Sequence, residues 1–153
     1  MWRLRRAEPG DLPALGELES LCFSDAWSEG AIASHMRSDT GYTLLCEEDG
    51  APIGALFLSC LPPEGEVYRL CVLPAARRRG IGRALMERGL SDLYAAGVRH
   101  MYLDVRAGNL PAQQLYRALG FVVCGRRSDY YRAPREDAVL MEREMREDAL
   151  SGN

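Results

Sequence analysis

No stretch of this sequence approaches the ~20 consecutive apolar residues that a membrane-spanning helix needs. Its first residues, MWRLRRAEPGD, lack the apolar segment of a secretion signal. These absences predict a soluble, cytoplasmic protein without a membrane partner. Metal ligands are scarce. The two histidines, His35 and His100, stand alone, and the five cysteines (Cys22, Cys46, Cys60, Cys71 and Cys124) form no CxxC pair. A structural zinc site needs clustered Cys or His, so no metal is expected. An odd number of scattered cysteines reads as small buried hydrophobes in a reducing compartment rather than a disulfide framework. Net charge is also small, since 19 basic and 22 acidic side chains leave −3. That excludes nucleic-acid binding driven by bulk charge, and any cationic site must be local. Repeats, linkers and low-complexity tracts are missing. The length suits one domain with one core, placed at residues 1–146, followed by a polar tail at 147–153.

What is present is a regular succession of short periodic segments. At 47% hydrophobic and 27% charged residues, the chain has a globular rather than a disordered composition. Trp2 and Leu4 alternate with Arg3 and Arg5, which predicts a strand. Leu12, Leu15, Leu18, Leu21 and Cys22 recur at helical spacing behind Asp11, a candidate N-cap. A second short helix follows, with Ser28 as its cap. Three strands lie in YTLLCEEDGAPIGALFLSCLPPEGEVYRLCVLP, the first two joined at Asp49-Gly50. The acidic run Glu47, Glu48, Asp49 reads as a solvated turn. A broad apolar stripe of Ile81, Leu85, Met86, Gly89, Leu90 and Leu93 predicts a helix that Gly97 ends. Met101, Leu103 and Val105 then share one face of a strand while Tyr102, Asp104 and Arg106 share the other. A short helix closed by Gly120 and two final strands complete the order β-α-α-β-β-β-α-β-α-β-β. Consecutive strands favour antiparallel pairing, and the unit over 66–106 predicts a right-handed parallel crossover. The expected class is α/β in the broad sense: a mixed, mostly antiparallel sheet of about seven strands with helices on both faces.

One stretch is unusual for a fold alone. RRRGIGRALM, residues 77–86, places three adjacent arginines and two glycines where a strand ends and a helix begins. The N–H groups that open a helix attract anions, and the helix dipole adds to this. Glycine at 80 and 82 lets phosphate oxygens approach the backbone, while Arg78, Arg79 and Arg83 supply positive charge. A P-loop would need GxxxxGK[ST] and a dinucleotide fold GxGxxG, and neither occurs. The pattern that is met, [QR]-x-x-G-x-[GA] through Arg77, Gly80 and Gly82, resembles the acetyl-coenzyme A pyrophosphate loop of the GCN5-related N-acetyltransferase (GNAT) superfamily. YLDVRAGNLPAQQLYRALGF is similar to that superfamily's second signature, and FSDAWSEGAI and YYRAPREDAVLM resemble its ribosomal-protein alanine N-acetyltransferase branch. The resemblance covers nearly the whole chain.

The resemblance implies a GNAT fold with a splayed cleft, acetyl-CoA as cosubstrate without a metal, and direct transfer to an N-terminal α-amine. The branch acetylates the eighteenth small-subunit ribosomal protein, so the implied partner is that protein's N-terminal peptide, with no direct nucleic-acid contact. Asp104 matches the family's carboxylate base, one methylene short, and acts either directly or by positioning a water. Tyr116 matches the general acid that protonates the leaving thiolate. Leu70, Cys71 and Val72 match the strand beside the pantetheine arm. Arg77, Arg78, Arg79, Gly80, Ile81, Gly82 and Arg83 form the phosphate loop. Asn109 matches a coenzyme contact and is equally a candidate N-cap, roles that are compatible. Trp27, Tyr130 and Tyr131 are expected to wall the peptide groove. Direct transfer needs no covalent cysteine at 71. Two alternatives stay open: the same chemistry on a small-molecule amine, and a coenzyme A-binding regulatory module with little turnover. A monomer or weak homodimer is expected.

Overall fold

Eleven strands and longer helices organise residues 1–146, which are the residues this computed structural model describes; the tail expected at 147–153 lies outside them. They are β1 (Trp2–Arg6), α1 (Leu12–Cys22), α2 (Glu29–Arg37), β2 (Gly41–Glu48), β3 (Ala51–Leu61), β4 (Glu64–Val72), α3 (Ile81–Ala95), β5 (His100–Arg106), α4 (Leu110–Ala118), β6 (Val122–Tyr131) and β7 (Glu136–Glu144). The seven strands form one sheet in the order β1-β2-β3-β4-β5-β7-β6. β4 and β5 pair in parallel, and the remaining neighbours are antiparallel. The element order and the mixed sheet match the expectation.

The central strands are buried on both faces, which is why their sequences read as apolar runs rather than clean alternation. Leu56 and Leu58 of β3 face α3, in a core with Leu44, Ile81, Leu85, Met86, Leu90 and Met101. Ala55 and Phe57, one residue out of phase, face α1 and α2 with Leu15, Leu18 and Ile32. Helices therefore cover both sides. The Asp49-Gly50 turn has positive φ at both residues (53° and 81°), the geometry that lets a two-residue loop follow the twist of its strands. Ser28 caps α2 by accepting from the Ala31 N–H at 3.1 Å.

Four expectations need correction. Asp11 occupies the N-cap position of α1, but its side chain makes no cap bond. Its carboxylate is held by Arg5 at 2.8 Å through both oxygens and accepts from the Glu8 N–H, so a long-range ion pair outcompetes the local cap. Leu21 is 59% exposed because it falls off the side of α1 that meets the sheet. The cysteines are not uniformly buried: Cys46 and Cys71 are, Cys22 and Cys60 are half-buried, and Cys124 is exposed on β6. Nor is the acidic run simply solvated. Glu47 is buried against Arg3 and Arg5, and Glu48 pairs with Arg79.

Two irregularities open the sheet. Phe57 pairs with Arg69 but Leu58 pairs with Val67, so Tyr68 is an extra residue bulged out of β4. Parallel pairing of β4 with β5 runs from Glu64↔His100 to Val67↔Leu103 and stops there. From that point β4 follows β3 to Val72 while β5 follows β7 to Arg106. α3 is held close to this region by Gly89, where an added Cβ would lie 2.6 Å from Leu56 and 2.9 Å from Leu58. Gly89→Ala should therefore lower stability by about 1–3 kcal/mol through overpacking. Helix propensity alone predicts a gain of about 1 kcal/mol. Denaturant unfolding decides between the two.

Candidate active site

The end of β4 leads through residues 73–80 into the start of α3, where the backbone takes an unusual course. Arg78 (φ 64°) and Gly80 (φ 81°) both adopt the left-handed conformation. For arginine that conformation carries strain of about 1–3 kcal/mol, of the kind that collects at functional sites. The first helical bond runs from the Ala84 N–H to the Gly80 carbonyl at 3.0 Å. The N–H groups of Ile81, Gly82 and Arg83 consequently have no partner within the helix. A Cβ on Gly82 would meet Leu115, Val72 and Leu70 at 3.6–3.9 Å, ordinary contact distances. Packing within the protein thus does not demand glycine at 82, and the missing side chain leaves the backbone there open to close approach. The same contacts show that α4 and the tip of β4 converge on the loop.

The arginines divide their work. Arg77 donates from Nε to the Val72 carbonyl at 3.1 Å, tying the loop to the strand. Arg79 forks onto Glu48 of the β2–β3 hairpin, so its charge is already matched. Arg83 lies 3.6 Å from Glu87 one turn on. Arg78 is exposed and makes no ion pair among the described residues, leaving its guanidinium available for an incoming phosphate. Asn109 caps α4 by accepting from the Ala112 N–H at 3.2 Å through Oδ1, which leaves its amide NH₂ uncommitted.

Beyond the loop, Leu70 and Val72 turn toward α3 while Cys71 points to α1 and is buried there. The adjacent Cys22 thiol and burial hold Cys71 well above the ordinary thiol range, so it stays protonated and a poor nucleophile. Tyr116 of α4 is 7% exposed, its ring 5.9 Å from Phe121. Burial, reinforced by nearby Tyr131, raises its phenol far above the usual value, so it holds its proton through the physiological range.

At the other end of the opening lies a cavity of about 340 Å³ lined by residues including Glu66, Tyr102, Asp104, Arg127 and Tyr130. Glu66 and Tyr102 are register partners, and Asp104 follows Tyr102 by one step along the same face of β5. Tyr130 stands against Asp104, whose carboxylate raises the Tyr130 pKa. Tyr131 packs edge-on against Tyr130 at 5.0 Å and lies beneath the Arg106 guanidinium at 4.5 Å. Burial, then Asp104, pushes Tyr131 up to about 12. Trp27 lies outside this lining, its ring 5.3 Å from Phe57 and 6.1 Å from the bulged Tyr68 on the face of the sheet that α1 and α2 cover. Asp104, Tyr130 and Tyr131 are thus brought together. Among the described residues, no group of three His, Cys, Asp or Glu is placed to hold a metal, and no helix is long and apolar enough to cross a membrane.

Sequence reasoning missed Glu66, Arg127 and Gln113. Glu66 sits in PPEGEVYRL, where turn signals mask the alternation that would have aligned it with Asp104. Gln113 donates from Nε2 to the carbonyls of Arg106 and Ala107 at 3.0 and 2.9 Å, anchoring α4 to the end of β5. Its position inside an apolar-looking turn of helix gave no sign of that bond.

Comparison with known proteins adds an independent line. A family model described as "Acetyltransferase (GNAT) family" matches residues 12–121. The [ribosomal protein bS18]-alanine N-acetyltransferase of Escherichia coli (strain K12) is 32% identical over 136 residues, 88% of this chain and 91% of its own. A Mycobacterium tuberculosis protein named N-alpha-acetyltransferase RimI is 37% identical over 140 residues, 88% of this chain and 87% of its own. The crystal structure of the ribosomal-protein-S18-alanine N-acetyltransferase from Escherichia coli superposes with a TM-score of 0.88 at 30% identity, covering 97% of both chains.

The paired carboxylates make a prediction of their own. Burial, then the charge of Asp104, raises the Glu66 carboxyl above its ordinary range. The folded state then binds more protons than the unfolded one between the two values, so Glu66 lowers stability as pH rises through that window. Glu66→Gln should raise the melting temperature near pH 7 and leave it unchanged near pH ~3.5, below the unfolded value of about 4.3. Thermal melts of the two proteins at both pH values check this.

Proposed function

From the premise that this chain belongs to the GNAT acetyltransferase family, we propose that it moves acetyl from acetyl-CoA to the N-terminal alanine of ribosomal protein bS18, the acceptor named for its relatives. The observation that carries this reading is the loss of β4–β5 pairing after Val67 and Leu103, with unpartnered helix N–H groups at one end and carboxylates at the other. Acetyl-CoA, when bound, supplies an acetyl thioester whose carbonyl carbon accepts the amine. The N–H groups of residues 81–83 and the free Arg78 hold its diphosphate. The edge of β4 at Leu70, Cys71 and Val72 that β5 leaves unpaired serves as the pairing strand for the pantetheine arm, apart from the Val72 carbonyl that Arg77 holds, and Asn109 offers its amide NH₂.

The acceptor arrives as an ammonium, with a pKa near ~8. Asp104 and Glu66 attract that charge from the far side of the opening. Asp104 is one methylene short of the family's glutamate and takes the proton through a bridging water. Tyr116, protonated by virtue of its burial, gives its proton to the departing sulfur and recovers one from the new amide nitrogen. Tyr130, Tyr131 and Trp27 hold the peptide on either side. A ribosomal acceptor places the reaction in the cytoplasm.

The test is thiol release from acetyl-CoA with a hexapeptide carrying the bS18 N-terminus, set beside a panel of small amines. Turnover on the peptide alone is expected. Turnover confined to small amines would replace the acceptor, and coenzyme binding without turnover would replace the enzyme by a regulatory module. In the same assay Tyr116→Phe should lower kcat by roughly 10²–10⁴ with coenzyme affinity retained. An unchanged kcat would exclude the acid role.

A further inference from the structure

The opened sheet has no backbone hydrogen bonds across it beyond Val67 and Leu103, yet two side chains reach over it to one carboxylate. Asp25 lies in the segment between α1 and α2 that carries Trp27. Its Oδ1 is 3.7 Å from the Arg69 guanidinium on β4, and its Oδ2 is 3.3 Å from the Arg106 guanidinium on β5. Each arginine is fixed from elsewhere. Arg69 donates to the backbone carbonyl of Asp25 at 3.2 Å and to Glu19 at 2.9 Å. Glu19 is fully buried and also accepts from the Trp27 N–H at 2.9 Å. Arg106 donates to the carbonyls of Arg132 and Pro134 at 3.0 and 2.9 Å, in the turn that follows Tyr130 and Tyr131.

A guanidinium can serve several acceptors in fixed directions, which an ammonium cannot. The two walls of the groove are consequently joined to the two diverging strands through one shared anion. We propose that Asp25 is a positioning residue that ties Trp27's wall to the Tyr130–Tyr131 wall across the open sheet, and that acceptor binding depends on it while coenzyme binding does not. This rests on the acetyltransferase reading of the site. The coenzyme's phosphate loop lies at the other end of the cleft and, among the described residues, shares no hydrogen bond with this network. Removing the Asp25 charge leaves both guanidinium groups with their other partners and leaves the Ser24 Oγ–Ala133 carbonyl bond (2.6 Å) between the same segments, so the fold is retained while the charged link between the walls is lost.

The experiment is Asp25→Asn, studied with the full chain in two ways. Steady-state kinetics on the alanine hexapeptide should show KM raised by about tenfold, kcat and the dissociation constant for coenzyme A staying close to those of the parent. An unchanged peptide KM, or a loss of coenzyme affinity in step with it, would overturn the inference. The second readout needs no acceptor. In a Trp2→Phe background, Trp27 emission should shift to the red and be quenched more steeply by acrylamide in Asp25→Asn, and identical quenching would overturn the tether. If the parent protein fails to turn over the peptide although Trp27 loosens as expected, the proposed acceptor is wrong and the tether stands.

Discussion

Hydrogen bonding between β4 and β5 ends after four register pairs, and the rest of the site follows from that. A sheet interior normally leaves no backbone donor or acceptor without a partner, because an unpaired buried group costs about 1–3 kcal/mol. Here the bulge at Tyr68 turns β4 aside before the strand has finished, so its last residues pair with β3 alone and their other edge has no strand beside it. An extended ligand arm with amide groups meets that requirement; a globular pocket would not. The bulge also sends Tyr68 and Arg69 to the same face, one toward Trp27 and the other toward Glu19, so the irregularity that opens the cleft also builds one of its walls.

Charge is separated along the cleft. All cationic side chains of the chain are arginines. At the phosphate end most of them are matched by a local partner, which leaves Arg78 and the backbone of α3 to meet an anion. At the opposite end Glu66 and Asp104 face each other with Arg127 alongside. Such a separation favours an anionic ligand at one end of the cleft and a cationic one at the other. The near-neutral overall charge conceals this separation.

Much of this was legible in the sequence, for reasons that differ by element. β5 and α3 were clear because each buries one face and exposes the other, so periodicity marks them directly. Ser28 and Asn109 were legible as caps because capping is local. Asp11 misled for the same reason. Its cap pattern is local, but its carboxylate answers to Arg5 on another element. Glu66, Asp25 and Arg106 were invisible as a group, since strand pairing and loop packing bring them together from distant parts of the chain. The opening of the sheet left no mark in alternation or composition, and its expectation came from family resemblance. The bulge that produces it is one extra residue in a strand whose apolar pattern is already two-sided.

The central claim is that the unpaired end of β4 and the first N–H groups of α3 together receive the coenzyme. Backbone amide chemical shifts recorded during titration with coenzyme A test it most directly. The account predicts that the largest changes fall on residues 70–72 and 80–83, with β1 and the β2–β3 pairing unaffected. Saturable binding that leaves those amides unmoved would contradict it.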